Sequence, residues 1–317
     1  MDVLDWLLDS DPAVRWQVLR DLAVASPEEV AAERKRVATH SWGARLLALQ
    51  EAGGQWDGGT YWPSHDDDPE GQPWTATTYT LLLLREFGLD PASQEARHAI
   101  SLVKANSRWE EGGQPFFEGE VEPCINGMTV ALGAYFGEDV DAVVDRLAGG
   151  QLADGGWNCD VERGSTRSSF HTTICVLEGL LEHERATGGT SSSREARRRG
   201  EEYLLKRSLL RRESTGAVIS DDWLKFSFPT RWYYDVLRGL DYFRAAGELP
   251  GETAGAPDKR LAEAVGIVRS KQQRDGTWLL ENTHPGKVHF ALEAGDGEPS
   301  RWNTLRALRV LRWYGPS

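Results

Sequence analysis

Six segments of the chain share one pattern. Each has a short polar or proline-containing start, then a run that is apolar around most of a helical circumference, then a stop near Gly or Pro. They read DPAVRWQVLRDL (11–22), PWTATTYTLLLL (73–84), PCINGMTVALGAYF (123–136), SFHTTICVLEGLL (169–181), PTRWYYDVLRGLDYF (229–243) and SRWNTLRALRVL (300–311). Three have nearly the same core: WQVLRDL, YDVLRGL and WNTLRAL. Pro, Ser or Asp at the front suits an N-cap or first-turn position. Helices that are apolar on several sides are buried on several sides.

More charged, amphipathic segments alternate with these: 27–50, 91–106, 138–149, 193–210 and 258–271. Their polar faces suit an outer position. Strand signals are nearly absent. The pattern predicts an all-α fold, an (α/α)6 toroid of inner and outer helices in a single domain spanning 1–317.

A second repeat follows the outer helices: Gln, three residues, Gly, one residue, Trp. It occurs at Gln50–Gly54–Trp56, Gln151–Gly155–Trp157 and Gln272–Gly276–Trp278. An apolar residue stands four positions before each Gln: Leu46, Leu147 and Val268. The Gly permits a left-handed turn after the helix. The Gln amide can satisfy terminal backbone groups, and the Trp can cover the helix end. GGQPFF (112–117) and STGAV (214–218) look like decayed copies.

These motifs resemble the QW repeats of squalene and oxidosqualene cyclases. The ring more widely resembles the terpenoid cyclase and protein prenyltransferase toroids, over roughly residues 11 to 315. The resemblance implies a central cavity that binds or transforms an apolar, isoprenoid-like molecule, by isomerase or transferase chemistry. The D-x-D-D acid segment of squalene-type cyclases is missing. That departure favours a non-catalytic ring that binds a ligand or protein as the alternative. A carbohydrate-active α/α barrel is the more distant one, since it needs two carboxylates about 5–10 Å apart.

Composition narrows the partners. With 36 basic and 49 acidic side chains the net charge is −13, which argues against nucleic acid. No apolar run approaches the 18 residues of a membrane span, leaving only peripheral membrane contact open. The acidic start MDVLDWLLDSD lacks the basic region of a signal peptide, and three cysteines make no disulfide framework. A cytoplasmic protein is expected. Whether it has a partner subunit is open.

Ligand-lining positions are expected at the first turns of the inner helices. Aligning the cores places Gln17, Tyr79, Met128, Cys175, Asp235 and Asn303 in one column. One turn earlier lie Ala13, Thr75, Cys124, His171, Arg231 and Pro299. His171, Asp235, Arg231 and Asp160 are the expected catalytic residues. His171 would be a metal ligand or acid/base, Arg231 an anion contact and Asp235 its orienter or an acid. Trp74, Tyr79, Trp232, Tyr233, Trp302, Asn303, Arg301, His284 and His289 are expected to bind ligand. Aromatic faces there would exclude water and stabilise cations.

Cys124, Cys159 and His171 are of types that bind zinc, and the prenyltransferase resemblance implies a zinc held by Asp, Cys and His. Here Cys159 and Asp160 are adjacent, unlike that pattern. Asp66-Asp67-Asp68-Pro69-Glu70 resembles a metal–diphosphate box, but Pro69 and nearby Gly residues predict a solvated loop. Two long loops, 57–73 and 279–299, are expected at the mouth of the ring.

Overall fold

The structure is a computed structural model and describes residues 2–64, 72–249 and 256–315. The acid run at 66–70 lies outside the described residues. The helices are α1 Val3–Leu8, α2 Pro12–Asp21, α3 Pro27–Lys35, α4 Ser41–Ala48, α5 Thr77–Phe87, α6 Gln94–Asn106, α7 Pro123–Phe136, α8 Asp141–Gly149, α9 Phe170–Thr187, α10 Ser191–Leu205, α11 Val236–Ala246, α12 Ala262–Ser270 and α13 Arg301–Tyr314. One two-stranded ribbon, β1 Trp278–Leu279 with β2 Pro299–Ser300, is antiparallel.

The fold is an all-α toroid. Six inner helices touch in sequence, α2 to α5, α7, α9, α11 and α13, and α13 returns to α2. The remaining long helices pack outside them. Side chains start many of these helices. Asp11, Ser26, Ser93, Ser169, Thr190, Asp235 and Ser300 each accept a backbone N–H of the first turn. Gly88, Gly137 and Gly188 end α5, α7 and α9 in the left-handed conformation.

The tightest inner contact is α7 on α9. A Cβ at Gly127 would lie 2.5 Å from the Cys175 carbonyl oxygen, and one at Gly179 would lie 2.4 Å from that of Gly127. Only glycine lets the two backbones approach so closely.

The Gln–Gly–Trp segments tie layers together. The indole N–H groups of Trp56, Trp157 and Trp278 donate to the carbonyls of Leu46, Leu147 and Val268, each at 2.7 Å. The backbone N–H of each Trp donates to a threonine on the next inner helix: Thr77, Thr173 and Thr304. The Gln50 and Gln151 amides reach carbonyls of the following outer helix, at Ala99 and Ala196. Gln272 makes only a 3.5 Å contact with Gly276, beside the short α1. Gln thus staples neighbouring hairpins, while Trp satisfies the carbonyl at its own helix end. In the 112–117 segment, Trp109 instead donates to Phe116 at 2.9 Å and stacks on its ring.

Among the described residues, no helix is long and apolar enough to cross a membrane.

Candidate functional site

The ring encloses a central cavity of about 360 Å3. Gln17, Tyr79, Met128 and Cys175 line it, as aligned. Asp235 and Asn303 do not; Arg238 and Arg306, each three residues later, take their places. The cause is local. The chain from Pro229 to Tyr234 is a loop, and Asp235 starts the helix as its N-cap, accepting from the Arg238 N–H at 2.8 Å. Arg231 and Asp235 are therefore not an i, i+4 pair on a helix, and nothing pairs them. Burial pushes the Asp235 carboxyl up, while Arg306 and its backbone hydrogen bonds pull the other way.

The aromatic and histidine residues expected to bind ligand gather at the N-terminal end of the inner ring. Tyr233 is sandwiched between Trp232 and His284, with ring centroids 3.8 and 3.9 Å away. His171 stands edge-on to Trp223, Trp232 and Tyr233. Its Nδ1 accepts the Tyr234 backbone N–H at 2.8 Å, so the neutral ring carries its proton on Nε2. Burial, and then the Arg238 cation, pull its pKa down to about 4. Gln72 links the cluster to α5, donating to the Tyr79 hydroxyl at 2.7 Å and accepting from the Trp232 indole at 2.9 Å.

The 279–299 loop lies over this end. Trp74 fastens it: its backbone N–H donates to Lys287 and its indole to Pro285. His289 accepts or donates at 2.9 Å to Thr80. Beneath the loop is a second, more apolar cavity of about 240 Å3, walled by Leu46, Trp74, Leu83, Phe228, Leu280 and Phe290. Arg231 borders both cavities.

Other predicted residues serve the fold. Trp302 is fully buried and stacks on Phe228 at 4.3 Å. Asn303 donates to the Phe226 and Leu279 carbonyls, both at 3.1 Å. Arg301 lies over the Trp6 ring at 5.0 Å, away from the cavities. Asp160 is at the surface, paired with Arg163 at 3.0 Å.

The metal-ligand types come together differently from the sequence expectation. Glu122, Cys124 and Cys159 place their ligand atoms within 4.8 Å of one another. His171 is not in this group, and its Nδ1 is already engaged. The two sulfurs are 3.0 Å apart, joined by a hydrogen bond. Two thiolates on a tetrahedral zinc, with Zn–S near 2.3 Å, stand about 3.8 Å apart. The residues as arranged fit a hydrogen-bonded thiol pair rather than a zinc centre. The shared hydrogen bond, together with burial, raises the Cys124 thiol.

Residues that the aligned column did not reach supply the cavity's charge. Nine arginines line it: Arg20, Arg34, Arg85, Arg185, Arg231, Arg238, Arg244, Arg306 and Arg309. The carboxylates are Glu86, Glu178, Glu182 and Asp241. Three of these are paired: Glu178 with Arg238, Glu182 with Arg85, and Asp241 with Arg244. Glu86 makes no ion pair among the described residues. It lines the cavity yet is an exposed residue, and desolvation by the surrounding protein pushes its carboxyl up. Asp241 is held below its ordinary value: burial works upward, but Arg244, Arg309 and Arg306 outweigh it. The sequence signal for part of this set was the last-turn position of Arg85, Arg185 and Arg244 on α5, α9 and α11, which reads equally as helix-end solvation.

Fold and site together define an all-α toroid with a partly aromatic, arginine-rich central cavity. No known family profile matches the chain, and no curated protein matches it. Among solved structures it is similar to the type II terpene cyclase MstE from Scytonema in the apo state, with a TM-score of 0.45 and 16% identity over 95% of this chain and 86% of that one. A variant of that cyclase in complex with its substrate, geranylgeranyl dihydroxybenzoate, gives a TM-score of 0.41 and 15% identity over 95% and 85%.

Proposed function

We propose that this toroid binds an apolar, isoprenoid-like small molecule in its central cavity and acts on it with Glu86 as the proton donor. The observation that carries the reading is the unpaired Glu86 carboxyl facing a cavity whose other walls include Trp16, Tyr79, Leu82, Leu83, Met128 and Phe228. A volume of about 360 Å3 falls within the range of small-molecule sites. A carboxyl whose acidity is weakened can give a proton to an alkene, aromatic faces can hold the cation that results, and the carboxylate left behind can take a proton back from that cation. Arg231, which lines the cavity, is a supporting contact; His171 lines neither cavity and holds the Tyr234 backbone instead. Asp235 and Asp160 have no role in the step: one caps α11 and the other is at the surface.

The test is incubation of the protein with geranylgeraniol and squalene, following tryptophan fluorescence for binding and mass spectrometry for products. Saturable binding with conversion that Glu86→Gln abolishes supports the full reading. Binding without conversion leaves a ligand-binding toroid. No saturable binding of either chain overturns it.

A second reading has its own observation. Glu86 and Asp241 both line the one cavity, and glycoside cleavage needs two carboxyls facing a common space. Release of reducing ends from an oligosaccharide panel would favour glycoside cleavage over isoprenoid chemistry.

A further inference from the structure

Arg231 stands apart from the other arginines of the central cavity. Arg20, Arg85, Arg238, Arg244, Arg306 and Arg309 each have a carboxylate within 4.0 Å. Arg34 and Arg185 donate to Gly88, Tyr135 and Ala245. The Arg231 guanidinium has neither kind of partner among the described residues. Its one recorded contact is with the Trp74 ring, 5.2 Å from the centroid. It is half-buried between the two cavities it borders, and desolvation there brings its pKa down to about 9, which an ion pair would counter. Its backbone is held at φ 56°, in the left-handed region that side chains avoid. Arg238 helps hold it there, donating to the Arg231 and Tyr233 carbonyls at 3.1 and 2.6 Å.

A second unsatisfied donor faces the same space. Asn282 Nδ2 lies 3.4 Å from His284 Nδ1, and an amide nitrogen can only donate, so the neutral ring carries its proton on Nε2. That Nε2 is buried without a partner among the described residues. Burial and then Arg231 lower the His284 pKa to about 4, so the ring stays a neutral donor. Arg231 and His284 both border the apolar cavity under the 279–299 loop. A buried donor without an acceptor, as at His284 Nε2, is costly, and a ligand oxygen would satisfy it and meet the Arg231 cation at the same time.

We infer that Arg231 and His284 form a head-group clamp for an anion, a carboxylate or phosphate monoester, on a ligand whose apolar chain fills the adjoining cavities. The inference rests on the proposed isoprenoid-like ligand and adds its polar end. A guanidinium gives two parallel donors to such an anion and the imidazole a third. The low-dielectric walls strengthen these bonds and penalise an uncharged head, which leaves the cation unpaired.

The test compares farnesol, farnesoic acid and farnesyl monophosphate as calorimetric ligands of the full chain. The wild type should bind at least one anion about tenfold or more tightly than the alcohol; whichever anion leads identifies the head group. Arg231→Gln should erase that preference, bringing the anions to within about threefold of the alcohol, and should not lower Tm, because it removes a cation that has no carboxylate partner among the described residues. Arg231→Lys should keep part of the preference. Arg231→Asn, which tolerates the left-handed backbone, replaces the Gln variant if that one fails to fold. Equal binding of alcohol and anions by the wild type, or an undiminished preference in Arg231→Gln, overturns the clamp alone. Failure of all three ligands to bind overturns the isoprenoid reading and the clamp with it.

Discussion

Arg309 on the last inner helix donates to the side-chain oxygen of Gln17 on the first at 2.6 Å, across 292 positions of chain. The same guanidinium meets Asp21 at 2.5 Å. Gln17 is held in turn by its own amide, which donates to the Ala13 and Glu86 carbonyls. These bonds close the ring, joining its two ends without a covalent link.

Closing the ring through a buried ion pair makes it sensitive to loss of one partner. Arg309→Ala removes one of the two cations on Asp21 and leaves the Gln17 side-chain oxygen without its donor, while Arg20 still pairs with Asp21; it should cost about 1–3 kcal/mol of unfolding free energy. For Asp21, burial works upward, but Arg20 and Arg309 outweigh it, so its folded pKa lies below the ordinary value. Its contribution is therefore present above the ordinary Asp range near 3.9 and is lost as pH falls through the folded value. The gap between wild type and variant in urea unfolding should narrow below about pH 4. A gap that stays constant with pH would show that the pair does not close the ring.

The tryptophan staples separate packing from hydrogen bonding. Trp157→Phe keeps most of the buried ring but leaves the Leu147 carbonyl without its donor. A loss of about 1–3 kcal/mol is expected, the cost of an unsatisfied buried acceptor. Trp62→Phe, at a side chain 49% exposed, should change little. Thermal unfolding of both variants makes the comparison, and equal effects would remove the staple role.

His171 should resist protonation. Burial first, and Arg238 second, bring its pKa to about 4, below the unfolded value near 6.5. For a base with a depressed folded pKa, stability is full above the unfolded value. It declines as pH falls from about 6.5 toward the folded value, because the unfolded chain takes the proton first. An NMR titration should show the His171 ring neutral at pH 5.5; a midpoint near 6.5 would contradict its buried setting.

Glu86 has the opposite sign. Burial raises its folded pKa above the ordinary carboxyl value. Ionisation therefore costs stability as pH rises through and above about 4.3. Glu86→Gln should raise Tm at pH 7 and match the wild type near pH 3, while abolishing any proton-initiated turnover. A lower Tm at pH 7 would place Glu86 in the structural framework.

Much of the architecture was readable from apolar periodicity. All six inner segments became inner helices, because a helix apolar on several sides has no stable place at a surface. The Gln–Gly–Trp spacing marked three of the hairpin junctions, because the indole bonds within one copy span ten residues. Local signals also misled. Pro229 looked like a helix start, yet Asp235 is the N-cap, which moved the cavity positions of α11 from Asp235 to Arg238. Trp302 and Asn303 kept the aligned spacing but turned into the wall between α13 and its neighbours.

What the sequence by itself determined was the alternation of inner and outer helices and the staples between them, since both depend on contacts close in the chain. Only the tertiary structure decided which charges face the cavity and which stay unpaired. Glu86 looks like any other charged residue in the sequence, and Arg231, expected there as an anion contact, could not be told paired from unpaired. Their distinction comes from desolvation and from partners brought from distant helices, and both are properties of the closed ring.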